Sequence, residues 1–353
     1  MISCELVPEE LGLHDPILVG AFMGWADASL GASGAVRFLV ESLHAARLAT
    51  WDGDEYYDFV ELRPVSRVIP PRDRELVWPQ GEFWVVREVP LAGAARRPTG
   101  DGAGHEEAAG PSPAASRSLV LFLAPEPRLR WKTYGRELAA FAQRCGVRQA
   151  VFLGAALADV PHTRPPVVTG WATEPRLRTR LEALGVPFSG YQGPASMQSA
   201  ALEFCRQAGM ACASLFSNGP HYLNVPNANL SLALLRRLAA LFDLELDLSA
   251  LEEAGRLLVE QANAAMEGRP EFLEHVRRLE AQFDEQAAPL APGELLRQAA
   301  ARAQQESAPL NVDPQDVVRE LEEFLRRRAQ SQGQSDESPP GEPNPPEGGG
   351  RET

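Results

Sequence analysis

Apolar residues fall along the first 243 positions in short runs separated by amphipathic stretches. PILVGAF (16–22), SLVLFLA (118–124), AVFLGA (150–155) and MACASLFS (210–217) are predominantly apolar runs of strand length, relieved only by small serines. That is the pattern of strands buried on both faces. Between and after them, RWKTYGRELAAFAQRCG (130–146), EPRLRTRLEALG (174–185), PASMQSAALEFCRQAG (194–209) and NANLSLALLRRLAALF (227–242) carry helical periodicity. Gly146 and Gly209 stand where glycine stops helices. Strands alternating with helices predict an α/β fold, a largely parallel sheet flanked by helices.

The segment ADASLGASGAVRFLVESLHA (26–45) also reads as a helix, with Leu30, Ala35, Phe38 and Leu39 on one face. Gly31 and Gly34 weaken a helix, by up to ~1 kcal/mol each, and make sense where that face packs closely on a neighbour. RLATWD (47–52), YYDFVELRP (56–64), RELVWP (74–79) and EFWVVREVP (82–90) predict a meander of further strands. Residues 91–117 are rich in Gly, Ala, Pro and Ser without an apolar period, the composition of a disordered insertion. From residue 244 the chain turns charge-rich and amphipathic, predicting a helical C-terminal appendage to residue 330, and 331–353 reads as a disordered Pro/Gly tail. The division expected is therefore an α/β domain over 1–243, the appendage over 244–330, and the tail.

Composition narrows the function classes. A net charge of -14 with no basic stripe argues against a nucleic-acid partner. No apolar run approaches the ~20 residues of a membrane helix, and Glu5, Glu9 and Glu10 interrupt any leader at the N-terminus, so a cytoplasmic protein is expected. Cys4, Cys145, Cys205 and Cys212 are too scattered for a CxxC pair and read as reduced thiols.

Phosphate-loop, dinucleotide-binding, nucleophile-elbow and HExxH signatures are all missing from the chain. What remains is a group of polar loops taken to follow strands: GWADA (24–28), PEPRLRW (125–131), LADVPHTRP (157–165), YQGPAS (191–196) and SNGPHYLNVPN (217–227). Ligands of open parallel sheets lie outside the carboxyl ends of the strands. That places Asp27, Glu126, Arg128, Asp159, His162, Arg164, Tyr191 and His221 at one end of the sheet. Three readings stand side by side. Asp159, His162 and Arg164 brace a proline-rich loop, with Arg164 on a carboxylate; or His162, Arg164 and His221 receive an anionic ligand; or the loops that carry Asp27, Asp159, His162, Arg164, Tyr191 and His221 form a subunit interface. A metal site from Asp27, Asp159, His162 and His221 lacks any compelling spacing, and neither a metal nor a cofactor is expected. Ser196, in GPASMQ, belongs near a helix start.

Taken together, LVGAFMGWADA (18–28), EYYDFVELRP (55–64), LGAALADVPHTRP (153–165), YQGPAS (191–196), FSNGPHYLNVPNANLSLALLRRL (216–238) and EHVRRLE (274–280) resemble the proteasome assembly chaperone type-two family. The likeness is to its bacterial, actinobacterial-type branch. The resemblance implies an α/β domain of the kind used by nucleoside phosphorylases, with a helical appendage, assembling into homo-oligomers, trimers in particular. It implies a non-enzymatic chaperone or scaffold, with proteasome subunits as candidate partners and no catalytic residues. An enzyme or small-molecule binder on a phosphorylase-like sheet is the alternative. Archaeal members carry a terminal hydrophobic-Tyr-any motif. Gly350-Arg351-Glu352-Thr353 lacks it, so docking of this tail by that route is not expected.

Overall fold

A computed structural model of the chain describes residues 2–6, 10–93, 116–223 and 225–287. Residues 94–115 of the expected insertion, the helical segments expected over 288–330 and the tail from 331 lie outside the described residues. Residues to Ala287 make one compact unit.

Its strands are β1 (Ile2–Cys4), β2 (Ile17–Met23), β3 (Ala46–Asp52), β4 (Val65–Ile69), β5 (Asp73–Val77), β6 (Gln80–Pro90), β7 (Ser116–Pro125), β8 (Gln149–Ala158), β9 (Val168–Ala172) and β10 (Ala211–Pro220). The helices are α1 (Gly31–Ser42), α2 (Trp131–Arg144), α3 (Pro175–Ala183), α4 (Met197–Gln207), α5 (Ala228–Phe242), α6 (Ser249–Met266) and α7 (Pro270–Ala287). Eight strands form one sheet in the order β1-β3-β6-β7-β2-β8-β10-β9, and β4 pairs with β5 alone. The centre β7-β2-β8-β10 is parallel, with antiparallel strands on both flanks. The four apolar runs are those four central strands, so the expected largely parallel, helix-flanked sheet is the one found.

Strand alternation divides the core in two. Ile17, Val19 and Ala21 face α1, α3 and α5, together with Leu119, Leu121, Leu123, Val151 and Leu153. Their neighbours Leu18, Phe22, Val120, Phe122, Ala150 and Phe152 face α2 and α4. A period-2 backbone presents successive side chains to opposite layers, so a strand between two helical layers must be apolar throughout. Gly31 and Gly34 do serve close packing, within the chain. A Cβ at Gly31 would lie 2.7 Å from Leu230 Cβ of α5 and 2.9 Å from Ala155 Cβ, and one at Gly34 2.8 Å from Ser231 Oγ.

Three local readings change. YYDFVELRP is a turn region and not a strand: Tyr56 and Tyr57 donate their backbone N–H to Gly53 O at 2.8 and 2.9 Å. Their rings are buried, Tyr56 edge-on to Trp51 and Tyr134. The two tyrosines plug the core from a loop while Val60 lies exposed, and a periodicity argument reads the stretch as a strand. β1, β4 and β9 are strands where none was expected. Finally, the loop at 191–196 follows α3 and not a sheet strand.

At the margins of the 91–117 segment, Leu91 bridges Leu244, Ala92 N–H donates to Asp243 O at 2.6 Å, and Ser116 and Arg117 open β7.

Candidate functional site

The parallel strands end together. Met23 lies opposite Pro125 and Ala158 opposite Pro220. The loops after β2, β7, β8 and β10 therefore share one end of the sheet, and Asp27, Glu126, Arg128, Asp159, His162, Arg164 and His221 ride on them.

Asp27 is buried at the start of the turn leading into α1, and its Oδ1 accepts from the N–H groups of Ala32 and Ser33, each at 2.9 Å. Burial raises its pKa above the ordinary carboxylate range, against the hydrogen bonds from Ser33 and Ala32. Glu126 joins two elements. Oε1 accepts from Met197 N–H at the first turn of α4 at 2.7 Å, and Oε2 from Trp25 N–H at 3.3 Å. Ser196 is the residue that precedes α4, as expected, but its side chain makes no capping bond. The Glu126 carboxylate supplies that function instead, as suits the positive end of a helix. Arg128 pairs with Glu61.

The β8–β9 loop is tied down by α6 and α7. His162 is buried; its Nδ1 and its backbone N–H both meet the Tyr222 hydroxyl at 2.8 Å, and Nε2 meets Asn263 Oδ1 of α6 at 3.0 Å. Burial raises the pKa of Tyr222. Arg164 grips α7: Nε and Nη2 donate to Asp284 Oδ1 and Oδ2 at 2.9 and 2.7 Å, and Nη1 donates to Glu280 Oε1 at 3.1 Å. The hydrogen bonds to Asp284 drive the guanidinium pKa further up and hold the Asp284 pKa down. Thr163 Oγ1 donates to the same Glu280. His221 sits 3.2 Å from Asp159 Oδ1, with its ring edge-on to Tyr222 and His275 at 5.5 and 5.7 Å between centroids.

The structure thus gathers Asp159, His162, Arg164 and His221 around Tyr222 and α7. Asp27 stays apart as the anchor of α1. Tyr191 is exposed, and its hydroxyl donates to Pro194 O within its own loop at 3.1 Å. Among the described residues, no three His, Cys, Asp or Glu side chains group as metal ligands. Both nitrogens of His162 are bonded and Arg164 holds two carboxylates of its own chain. The enclosed space beside them is about 10 Å³, room for one water.

Tyr222, Asn263, Glu280 and Asp284 were missed by sequence reasoning. Only the carboxylates left a signal, because Glu280 and Asp284 are spaced i,i+4 and share one face of a helix.

Sheet, layers and loop end define a three-layer α/β protein whose strand-end loops are clamped by its own C-terminal helices. The chain belongs to the PAC2 family, whose model matches residues 21–266. It is similar to a PAC2 family protein from Streptomyces avermitilis, with 33% identity over 74% of this chain and 100% of that one at a TM-score of 0.61. It is also similar to a proteasome-assembly chaperone homologue from Mycobacterium tuberculosis, with 30% identity over 74% of this chain and 99% of that one at a TM-score of 0.61. An archaeal proteasome activator from Pyrococcus furiosus shares the fold, at 17% identity over 76% and 98% of the two chains and a TM-score of 0.53. No curated protein matches. Among the described residues, no helix is long and apolar enough to cross a membrane.

Proposed function

We propose that this chain is a non-enzymatic, homo-oligomeric chaperone or scaffold protein of the cytoplasm, with proteasome subunits as partners. One observation carries the protein-contact reading. The β4–β5 hairpin is exposed along both strands, and Val65, Val68, Ile69, Leu76 and Val77 lie open on it. A lone two-stranded ribbon is marginal in water, and clustered exposed apolar residues mark contact surfaces. From residue 63 to 79 it carries Arg63, Arg67, Arg72 and Arg74 against only Asp73 and Glu75, in a chain of net charge -14. A basic arm on an acidic protein suits a second copy of the same chain, and a trimer is the assembly we favour.

The clamped strand ends support the reading from the other side, since the polar residues there serve loop shape. The partner class rests on the likeness to the M. tuberculosis protein. Light scattering of the full chain at micromolar concentration should give three chain masses, and Val68→Lys/Leu76→Lys should give one. Co-expressed proteasome core subunits should be retained by the tagged protein. A wild-type monomer overturns the oligomer, and loss of those subunits on washing overturns the partner.

A further inference from the structure

A second hollow lies beside the clamped loop. It is a groove of about 280 Å³ between residues 162–168, α5 and α6, near the lower end of ligand-pocket sizes, roughly 300–1,000 Å³. Three arginines reach it. Arg164 is held by Asp284 and Glu280, and Arg236 by Glu252 at 2.7 Å. Arg237 differs. Its Nε is buried without an acceptor, and no carboxylate among the described residues pairs with its guanidinium. A guanidinium cannot shed its charge near neutral pH, and the two terminal nitrogens of half-buried Arg237, unlike its Nε, are left open to an anion. Leu232 and Ala233, on the same helix, and Val259 of α6 supply an apolar wall.

We propose that this groove binds a small organic carboxylate, its charge against Arg237 and its short apolar chain along Leu232, Ala233 and Val259. The groove adjoins the His162–Arg164–His221 cluster and shares His162 and Arg164 with it, but the chain's own carboxylates occupy Arg164, which leaves Arg237 to take the ligand's charge. It does not rest on the protein-contact reading. A carboxylate suits Arg237 because it meets the guanidinium fork with two parallel bonds. The size of the groove and its apolar wall select a chain of a few carbons.

Calorimetric titration of the full chain with hexanoate tests the site, with acetate, inorganic phosphate and hexan-1-ol as parallel probes. Hexanoate should bind saturably, one per chain, with a dissociation constant below roughly 10 mM. Acetate and phosphate should bind more weakly, and hexan-1-ol not at all. Arg237→Gln should weaken hexanoate about ten- to a hundred-fold, the range for losing a charged hydrogen bond. Ala233→Leu keeps the arginine and fills the groove, so it should also lose hexanoate while melting as the wild type does. The proposal is overturned by an absence of saturable hexanoate binding, by hexan-1-ol or phosphate binding as well as hexanoate, or by undiminished binding in Ala233→Leu. If Arg237→Gln melts as the wild type does and still binds hexanoate, that overturns it too.

Discussion

Arg164 and Asp284, 120 residues apart in sequence, meet through two parallel bonds of 2.9 and 2.7 Å. This pair ties the loop after β8 to the last described turns of α7, and Glu280 adds a third bond from one helical turn earlier. The proline-braced loop is therefore held from outside the sheet as well as by its own backbone.

Both partners are partly exposed, so the pair should contribute modestly to global stability and more to where α7 sits. Arg164→Ala should raise amide exchange over 276–287 while leaving the central strands protected. Arg164→Ala/Asp284→Ala should be no worse than Arg164→Ala alone, whereas Asp284→Ala keeps the bond to Glu280 and should be milder. Hydrogen exchange with mass spectrometry reads both.

The same pair has a signed pH dependence. The Asp284 pKa is depressed, chiefly by its hydrogen bonding to Arg164. A depressed carboxylate contributes stability above its unfolded value, and that contribution is lost as pH falls through the folded one. The melting-temperature gap between wild type and Arg164→Ala should hold from pH 8 to pH 6, then close as pH drops through and below the usual carboxylate range. A gap that widens on acidification would contradict this.

Asp27 carries the opposite sign. Burial raises its folded pKa, so ionisation opposes folding as pH rises from the ordinary carboxylate value through the raised one. Asp27→Ala removes the two bonds to the first turn of α1 and should cost about 0.5–2 kcal/mol at pH 7, as for other lost helix caps. The advantage of Asp27 over Ala should grow as pH falls through that window. Urea titrations of both proteins at several pH values measure it.

Gly31→Ala should destabilise by about 1–3 kcal/mol. Gly31 has ordinary helical angles, φ -66° and ψ -41°, so the backbone would accept alanine. In an exposed helix the same change gains up to about 1 kcal/mol. Here the new Cβ would lie 2.7 Å from Leu230 Cβ and 2.9 Å from Ala155 Cβ, closer than carbon atoms approach. Steric overlap therefore decides the sign, and chemical denaturation reports it.

Cysteine chemistry gives a check on the core. Cys4 is exposed, and Cys145, Cys205 and Cys212 are buried. Burial raises the Cys205 pKa strongly and pushes that of Cys212 up to about 12, so neither offers thiolate near neutrality. A thiol reagent should label one cysteine in the native protein and four after denaturation. Cys4→Ser should abolish the native label.

The apolar runs at 16–22, 118–124, 150–155 and 210–217 identified the central strands because a strand covered on both faces has no polar side to disguise it. Helix stops at Gly146 and Gly209 were equally local. Both have positive φ, 74° and 85°, where a glycine is at ease. The end of the sheet that bears the polar loops also followed from the sequence, since parallel strands put their carboxyl ends together. What those loops hold did not. Whether His162 faced solvent or Asn263, and whether Arg164 met a ligand or Asp284, depended on helices more than 100 residues further on. Tyr56 and Tyr57 show the same limit on a smaller scale, because their apolar character says that they are buried without saying that a loop buries them. Periodicity records which face of an element is dry. Only tertiary packing decides which distant side chain arrives to satisfy a charge, because that meeting depends on chain path and not on spacing.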